Sequence, residues 1–383
     1  MRGKVALYAS FLLLLPWQNV ALSQNITLNG QLSGWLIAND EDPLVSQIGI
    51  RYIPELAIEK AIDDQYVIDA LISLNTYGTI NFYDSEDTDI EARIRPYRIW
   101  GRVGSNRFET RIGLQKLNFG SATLFRPLRW FDRIDPRDPL QLTEGVYGLL
   151  MRYYFQNNSN IWLWGLYGND DPKGREIAPT TENSIEFGGR VQMPLFTGEA
   201  ALSYHHREAD FSQLSIPVTD QSANTSVPED RIGLDGKWDV GVGVWFEGAL
   251  SRYQTDIPGL KYQRALTLGI DYTFNIGNGL YVLGEHNISE LADTAFGSGE
   301  GSDISGLSMS YPLGLMDTVS AIVSYDWSNE DWYRTFTWQR LYDKWSFFVI
   351  GFWNPDQLLP IQNLDTNNNF SGKGVQLMVV LNH

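Results

Sequence analysis

Cysteine is absent from the 383 residues, and histidine occurs only at His205, His206, His286 and His383. The first absence excludes a disulfide framework, a thiolate metal site and a cysteine nucleophile. The second leaves little from which to build an imidazole metal centre, so neither a metal nor a cofactor is expected. Basic charge is also short: 29 Lys and Arg against 46 Asp and Glu give a net charge of −17. A polyanion needs a basic surface, so nucleic acid is not an expected partner. Beyond Gln24 no apolar run approaches the ~20 residues that a membrane-spanning helix requires.

What is present begins with a processing signal. Arg2 and Lys4 precede an apolar run from Val5 to Pro16, and Ala21-Leu22-Ser23 offers small residues for cleavage before Gln24. Residues 1–23 therefore read as a secretory signal peptide and 24–383 as one exported domain. Aromatic residues make up 13% of the chain, a load that membrane barrels carry as two interfacial girdles.

The mature chain alternates with a period of two and shows no amphipathic helix. Leu266, Leu268, Ile270, Tyr272 and Phe274 oppose Thr267, Gly269, Asp271, Thr273 and Asn275, the longest clean case. Ile185 to Met193 and Val242 to Ser251 follow the same rule, and Val375 to Leu381 closes the series. Such runs amount to roughly 18 strands, inside the range of outer-membrane barrels. Brief breaks at Asp63, Ser105, Asn157, Thr197, Val240, Asn278, Leu313 and Lys344 interleave with mostly longer ones near Asp84, Phe125, Lys173, Thr219, Ala295 and Leu364. Short periplasmic turns alternating with longer external loops are a barrel's signature. The fold expected is an all-β, transmembrane antiparallel barrel, with the connection after Asn118 as its third external loop.

That connection sits in the stretch from Arg107 to Gly148. It is too long for a hairpin and too rich in Arg, Phe and Trp for a slack linker, so a functional, inward-folded loop is expected. On the two strands before it, an arginine facing lipid at mid-depth costs about 2–4 kcal/mol, so Arg93, Arg95 and Arg98 of the earlier strand and Arg111 of the later one are expected to face the lumen. All of the first three can do so only if the strand bulges near Pro96, which cannot donate to a ladder.

The run RIGLQKLNFG, followed by aromatics and arginines and then WFDRIDPRDP, resembles the third-loop region of the alginate-export-like group of Gram-negative outer-membrane porins. The likeness is sharp over about 40 residues and otherwise rests on the barrel architecture. It implies passive diffusion of small anionic solutes through an arginine-lined pore, with Arg111, Arg126, Arg129, Arg133 and Arg137 as lining residues. A plainer alternative holds for three of these. Arg129, Arg133 and Arg137 alternate with Asp132, Asp135 and Asp138 and can pair with them to pin the loop to the wall. Arg111 and Arg126 lack an acidic neighbour next in sequence, which makes them the better candidates for solute contact.

Weaker features complete the reading. His205 and His206 point to opposite faces of a strand and form a poor chelate. Asp365 to Asn369 lacks the acidic spacing of a calcium loop. No nucleophile and base stand in a catalytic context, so an enzyme is not expected. A channel is favoured over a non-channel barrel, enzymatic or anchoring, and over a secreted carbohydrate-binding sandwich. Outer-membrane lipid, small anionic solutes such as sugar acids, oligosaccharides or phosphate-bearing nutrients, and the barrel-assembly machinery are the expected partners. The oligomeric state is left open.

Overall fold

A computed structural model describes residues 24–40, 44–83, 88–214, 225–355 and 370–383. The signal segment, the acidic run at Asp84 to Asp87, Thr219 and the run at Asp365 to Asn369 lie outside the described residues. The described residues contain eighteen strands. The first nine are β1 Gln24–Asn39, β2 Leu44–Ala61, β3 Val67–Tyr83, β4 Thr88–Gly104, β5 Phe108–Gln115, β6 Val146–Tyr154, β7 Asn160–Tyr167, β8 Ile185–Leu195 and β9 Gly198–Asp210. The rest are β10 Ser226–Asp239, β11 Gly243–Tyr253, β12 Tyr262–Phe274, β13 Leu280–Ala292, β14 Glu300–Pro312, β15 Asp317–Asp326, β16 Asp331–Leu341, β17 Trp345–Asn354 and β18 Gly372–Asn382.

Each strand pairs antiparallel with the next, and β18 pairs with β1 through Gly34 opposite Val379, so the sheet closes and leaves no edge. Turns at 62–66, 105–107, 155–159, 196–197, 240–242, 275–279, 313–316 and 342–344 lie at one end. The connections at the other end include the long stretches between Gln115 and Val146 and between Tyr167 and Ile185. Three of that set are short, between Asn39 and Leu44, between Tyr83 and Thr88 and between Asp326 and Asp331.

Alternation sets the two faces. On β12 the side chains of Leu266, Leu268 and Ile270 are exposed on the outer face, whereas Thr267 is fully buried on the inner one. At the chain's end His383 stacks on Tyr52 with 5.8 Å between ring centroids, and its backbone exchanges hydrogen bonds with Gly30.

The ladder between β3 and β4 slips once, between Ser73 and Leu74, where Arg98 and Pro96 stand opposite and Tyr97 is the extra residue. Before the slip Arg93 and Arg95 are in phase with Tyr77 and Asn75; after it Arg98 is in phase with Ser73. The bulge therefore keeps all three guanidiniums on one face, the inner one, because each is paired with an inward residue of β3. Without the slip Arg98 would point to lipid. Some arginines elsewhere do face outward, Arg334 and Arg340 among them. Arg334 lies 5.0 Å from the Trp353 ring centre, and Arg340 pairs with Asp317 at 3.1 Å.

Apolar packing on the inner face is organised by the connection after β5. Leu117, Phe119, Leu128, Trp130 and Phe131 pack with Leu150 and Trp164, while Ala122, Leu124 and Phe125 pack with Trp245, Leu283, Ile304 and Tyr333. Leu140 rests on a third cluster that includes Trp35, Phe348, Ile350 and Met378. This last contact explains why β17 is apolar on both faces: one meets lipid and the other meets protein.

Candidate functional site

Backbone between Gly120 and Leu128 has no strand to pair with, and its N–H groups must find other acceptors. Carboxylates on the inner faces of β11 and β13 supply them. Glu247 accepts from Ala122 N at 2.8 Å and Leu128 N at 2.6 Å. Glu285 accepts from Thr123 N at 2.6 Å and from Leu124 N and Phe125 N at 2.8 Å each, and also from Trp245 Nε1. Thr267 of β12 donates to Phe125 O at 2.6 Å. Two glycines make room for this docking. Gly120 adopts φ +107°, and a Cβ there would lie 2.4 Å from Glu247 Oε2; one on Gly306 of β14 would lie 2.7 Å from the Phe125 ring.

The returning half of the connection reaches the opposite side. Asp138 is electrostatically coupled to Arg51 of β2. Arg98 donates to Thr143 O at 2.8 Å, and Arg95 pairs with Glu144 at 3.3 Å. The connection thus touches inner-face residues on both sides of the barrel.

Among the residues expected from sequence, Arg93 and Arg95 are half-exposed on the inner face, Arg93 lying 3.8 Å from Glu91. Arg98 is 8% exposed, bonds only to the carbonyls of Tyr97 and Thr143, and lies 4.0 Å from the Tyr97 ring centre. Arg111 contacts Glu109 at 3.2 Å and lies over Trp100. Its expected freedom from acids is corrected here: residues two apart on a strand share a face, so the relevant neighbour was Glu109.

Within the loop, Arg126 lies 3.7 Å from Asp132 and donates to Asn118 and Phe119 O, so it too is held rather than free. Arg129 is buried and donates to Ile134 O at 2.6 Å; Arg133 is half-buried. Arg137 forks onto Asp135 at 2.9 Å and lies over the Phe370 ring. Asp132 and Asp138 accept from the backbone N–H of Ile134 and Leu140. These arginine–aspartate contacts close turns inside the loop, whereas the attachment to the wall expected of Asp132, Asp135 and Asp138 is made largely by Glu247 and Glu285. A carboxylate two residues from its partner is reached locally at little entropic cost.

Burial pushes the Asp135 carboxyl up, but the Arg137 guanidinium outweighs burial and holds it below the ordinary range. Burial raises Asp138, and the backbone N–H of Leu140 and the charge of Arg51 only partly offset that.

Sequence reasoning missed further inner-face arginines, Arg207 and Arg231 of the network below among them. Arg51 lies between Trp35 and Tyr77, 5.3 Å from each ring centre, and its Nε has no hydrogen-bond partner. Arg102 binds Asp69 at 2.6 Å, and Arg152 shares Glu109 and lies over Trp162. Arg190 binds Asp235 beside the Phe119 ring. Among the described residues, Arg51 and Arg98 have no carboxylate within ion-pair distance. Along β4 and its neighbours, Arg51, Arg93 and Arg95 lie on the loop side of the Arg98–Thr143 contact, and Arg102, Arg111 and Arg152 on the turn side.

On the side of β8 to β10, a dry ion network fixes the connection between β7 and β8. Glu229 accepts from Arg207 at 2.5 Å and Arg231 at 2.7 Å, and Glu176 of that connection binds Arg231 at 2.9 Å. Fully buried His205 contacts Glu186 at 3.1 Å and Trp164. His206, on the outer face, contacts Asp230 at 2.9 Å.

The register of β13 on β14 also brings His286 Nδ1 within 2.9 Å of Ser305 Oγ, and His286 Nε2 within 3.0 Å of Asp303. That outward trio has the residue types of a hydrolase. However, Asp303 Oδ1 makes no aligned hydrogen bond, and Ser305 is in register with both neighbouring strands, so ladder pairing occupies the N–H groups that an oxyanion would need.

A closed antiparallel barrel of this size, with a long connection docked on its inner face, defines an outer-membrane β-barrel of porin-type architecture. Among solved structures, the chain is similar to OccK5 (OpdH) of Pseudomonas aeruginosa, with 11% identity, a TM-score of 0.56, and 94% of this chain and 97% of that one covered. It is also similar to in-vitro folded OmpT, an outer membrane protein of Vibrio cholerae in a trimer form, at 13% identity and a TM-score of 0.52, covering 94% and 99%. At such identities the likeness concerns the fold. No protein-family model matches the chain, and no curated protein matches it in sequence.

Proposed function

We propose that the chain, exported by its signal peptide and inserted by the barrel-assembly machinery, is an outer-membrane channel for passive diffusion of small anionic solutes. The connection after β5 forms its narrowest part, and the inner-face arginines of β2 to β6 form its basic wall. The observation that carries this reading is the pair Arg51 and Arg98. Both point inward where the returning connection meets the wall, and neither has a carboxylate within ion-pair distance, Asp138 acting on Arg51 only at longer range. A guanidinium held over aromatic rings keeps its charge and its donors while losing little freedom on binding. In a narrow lumen such groups raise the local concentration of anions.

The short likeness to the alginate-export-like group supports sugar acids or acidic oligosaccharides as cargo. Phosphate-bearing nutrients suit the same guanidiniums. Catalysis is the weaker alternative, because the His286, Ser305 and Asp303 trio lacks an oxyanion site.

Zero-current potentials in a salt gradient across planar bilayers test the proposal. Wild type should prefer anions, and Arg51→Ala and Arg98→Ala should each move the potential toward cations. Arg126→Ala should move it less, because Asp132 already offsets that charge. A potential that ignores Arg51 and Arg98 in a properly folded barrel would remove both from the permeation path.

A further inference from the structure

The connection between β7 and β8 folds inward beside the one after β5, and where the two meet the wall they border a hollow that stays partly open. Pro127 and Trp130 line it from one connection and Arg175 and Glu176 from the other. On the wall side Ala249 and Ala265, paired across β11 and β12, are too small to fill it. Gly174 lets the two connections approach this closely: it adopts φ +50°, and a Cβ there would overlap the carbonyl oxygen of Arg129.

Three groups around this hollow keep donors that no acceptor meets among the described residues. Arg175 has one side-chain partner there, Asn287 Oδ1 at the long distance of 3.5 Å, and no carboxylate within ion-pair distance. Its backbone is fixed by Gln263, whose Nε2 donates to Arg175 O at 3.1 Å. Ser251 is 7% exposed and stands between Arg231 and Gln263 in the ladders, and its hydroxyl has no hydrogen-bond partner. Arg231 gives Nε and Nη2 to Glu229 and Glu176, while its Nη1 donates no hydrogen bond. The carboxylate beside them is already occupied: Glu176 accepts from Arg231 at 2.9 Å and from Lys173 N at 2.8 Å. Donors left in a nearly dry site are costly unless something else accepts from them.

Charge points the same way. Arg175, Arg207 and Arg231 stand against Glu176 and Glu229, three cations to two anions. Glu247 acts on Arg175 only from beyond ion-pair distance and is covered by the N–H groups of Ala122 and Leu128. Burial, and after it the charge of Arg129, lowers the Arg175 pKa to about 10, so the group stays charged at neutral pH. The hollow offers about 20 Å³ to a water-sized occupant, above the ~10–15 Å³ that one needs, which admits a small ion and not a sugar ring. We propose that it binds one monovalent inorganic anion of halide size, held by Arg175, Arg231 and Ser251. The anion accepts from three separate elements at once and so fastens the connection between β7 and β8 to β10 and β11. This site stands apart from the basic wall of β2 to β6 and requires no solute to cross the pore.

Bromide tests this on the full-length barrel. Crystals exchanged into sodium bromide should show an anomalous peak in the hollow, in contact with Arg175 and Ser251. In detergent solution, the temperature at which folded gel mobility is lost should rise and saturate with sodium bromide or chloride. The reference is sodium gluconate at equal ionic strength, whose anion is too large for the hollow. A hydrogen bond from a charged donor contributes more than one from a neutral donor, so Arg175→Gln should raise the half-saturating bromide concentration ~10-fold or more and Ser251→Ala ~2–10-fold. Arg175→Lys, which keeps the charge without the fork, should fall between wild type and Arg175→Gln. An empty hollow in wild-type crystals, a bromide response that survives Arg175→Gln undiminished, or equal stabilisation by gluconate would each overturn the proposal. So would a peak without any halide-dependent stabilisation, which marks an adventitious ion only.

Discussion

Removing the Glu285 carboxylate should release the tip of the connection. Three backbone N–H groups, from Thr123, Leu124 and Phe125, point at its two oxygens within 2.8 Å. A hydrogen bond to a charged group contributes about 1.5–3 kcal/mol net, so three of them sum to at least ~4 kcal/mol in a dry site. Water in the lumen satisfies part of that once the tip lifts, which brings the cost of Glu285→Ala to ~3 kcal/mol. At 1.4 kcal/mol per decade, the ratio of docked to undocked loop falls by about 10²-fold. Glu247→Ala removes two N–H acceptors and should act in the same direction with a smaller effect. The double variant should fall short of the sum, since both carboxylates hold one segment. Single-channel recordings should show added flicker or a raised mean conductance. Trypsin should cut after Arg129, Arg133 or Arg137 in the variants and not in wild type. If Glu285→Ala leaves both the traces and the protease resistance unchanged in a heat-modifiable barrel, those bonds do not hold the loop.

The buried network behaves differently. Glu229→Ala leaves Arg207 and Arg231 sharing Glu176 as their one remaining carboxylate in a dry site, and breaking such a buried network costs about 3–5 kcal/mol, which should lower the temperature at which the barrel loses its folded gel mobility. Asp138 provides a pH response. Its carboxyl is raised by burial, so the folded state favours the neutral form; acidification protonates it above the ordinary ~3.9 of aspartate and through this group costs no stability. Asp135 has the opposite sign: it contributes stability above ~3.9 that is lost as pH falls through its lower folded value. Loss of the Asp138 charge unmasks Arg51, so zero-current potentials should shift further toward anions on acidification, and Asp138→Asn should abolish that response.

Strand-level organisation was legible because a period of two is visible wherever one face meets lipid and the other meets water or protein. The bulge near Pro96 was legible for a related reason: three arginines spaced 93, 95 and 98 cannot share a face without it. Docking of the loop was not legible. Its anchors join residues 125 and 162 positions apart, Ala122 to Glu247 and Thr123 to Glu285, through backbone N–H groups that carry no side-chain signature. The Arg51 sandwich needs the registers of β1 on β2 and β2 on β3 before Trp35 and Tyr77 become its neighbours. Ser305 and His286 met only through the register of β13 on β14. In each case the missing information is which residue stands opposite which, and composition leaves that open.

Register also reconciles an acidic chain with the basic pathway proposed for it. The carboxylates of Glu186, Glu229, Asp235, Glu247 and Glu285 all sit on inner faces between β8 and β13, and none is more than 3% exposed. Two are covered by backbone N–H groups of the connection, and the others by Arg207, Arg231, Arg190, His205 and Lys173. A charge so covered projects little field into the lumen, since its donors lie closer to it than any solute can. Across the barrel, Arg93 and Arg95 keep nearly half of their side-chain surface accessible, and Arg51 is flanked by rings with no carboxylate in ion-pair contact. Beyond a Debye length of ~8–10 Å, the remaining acids in the outer connections are screened. Net charge therefore describes the solubility and repulsion of the whole molecule, while the preference of the pore is decided by which charges the connection leaves uncovered. In the channel proposed above, a connection that presses its backbone onto the acidic side would leave the basic side as the one a solute meets.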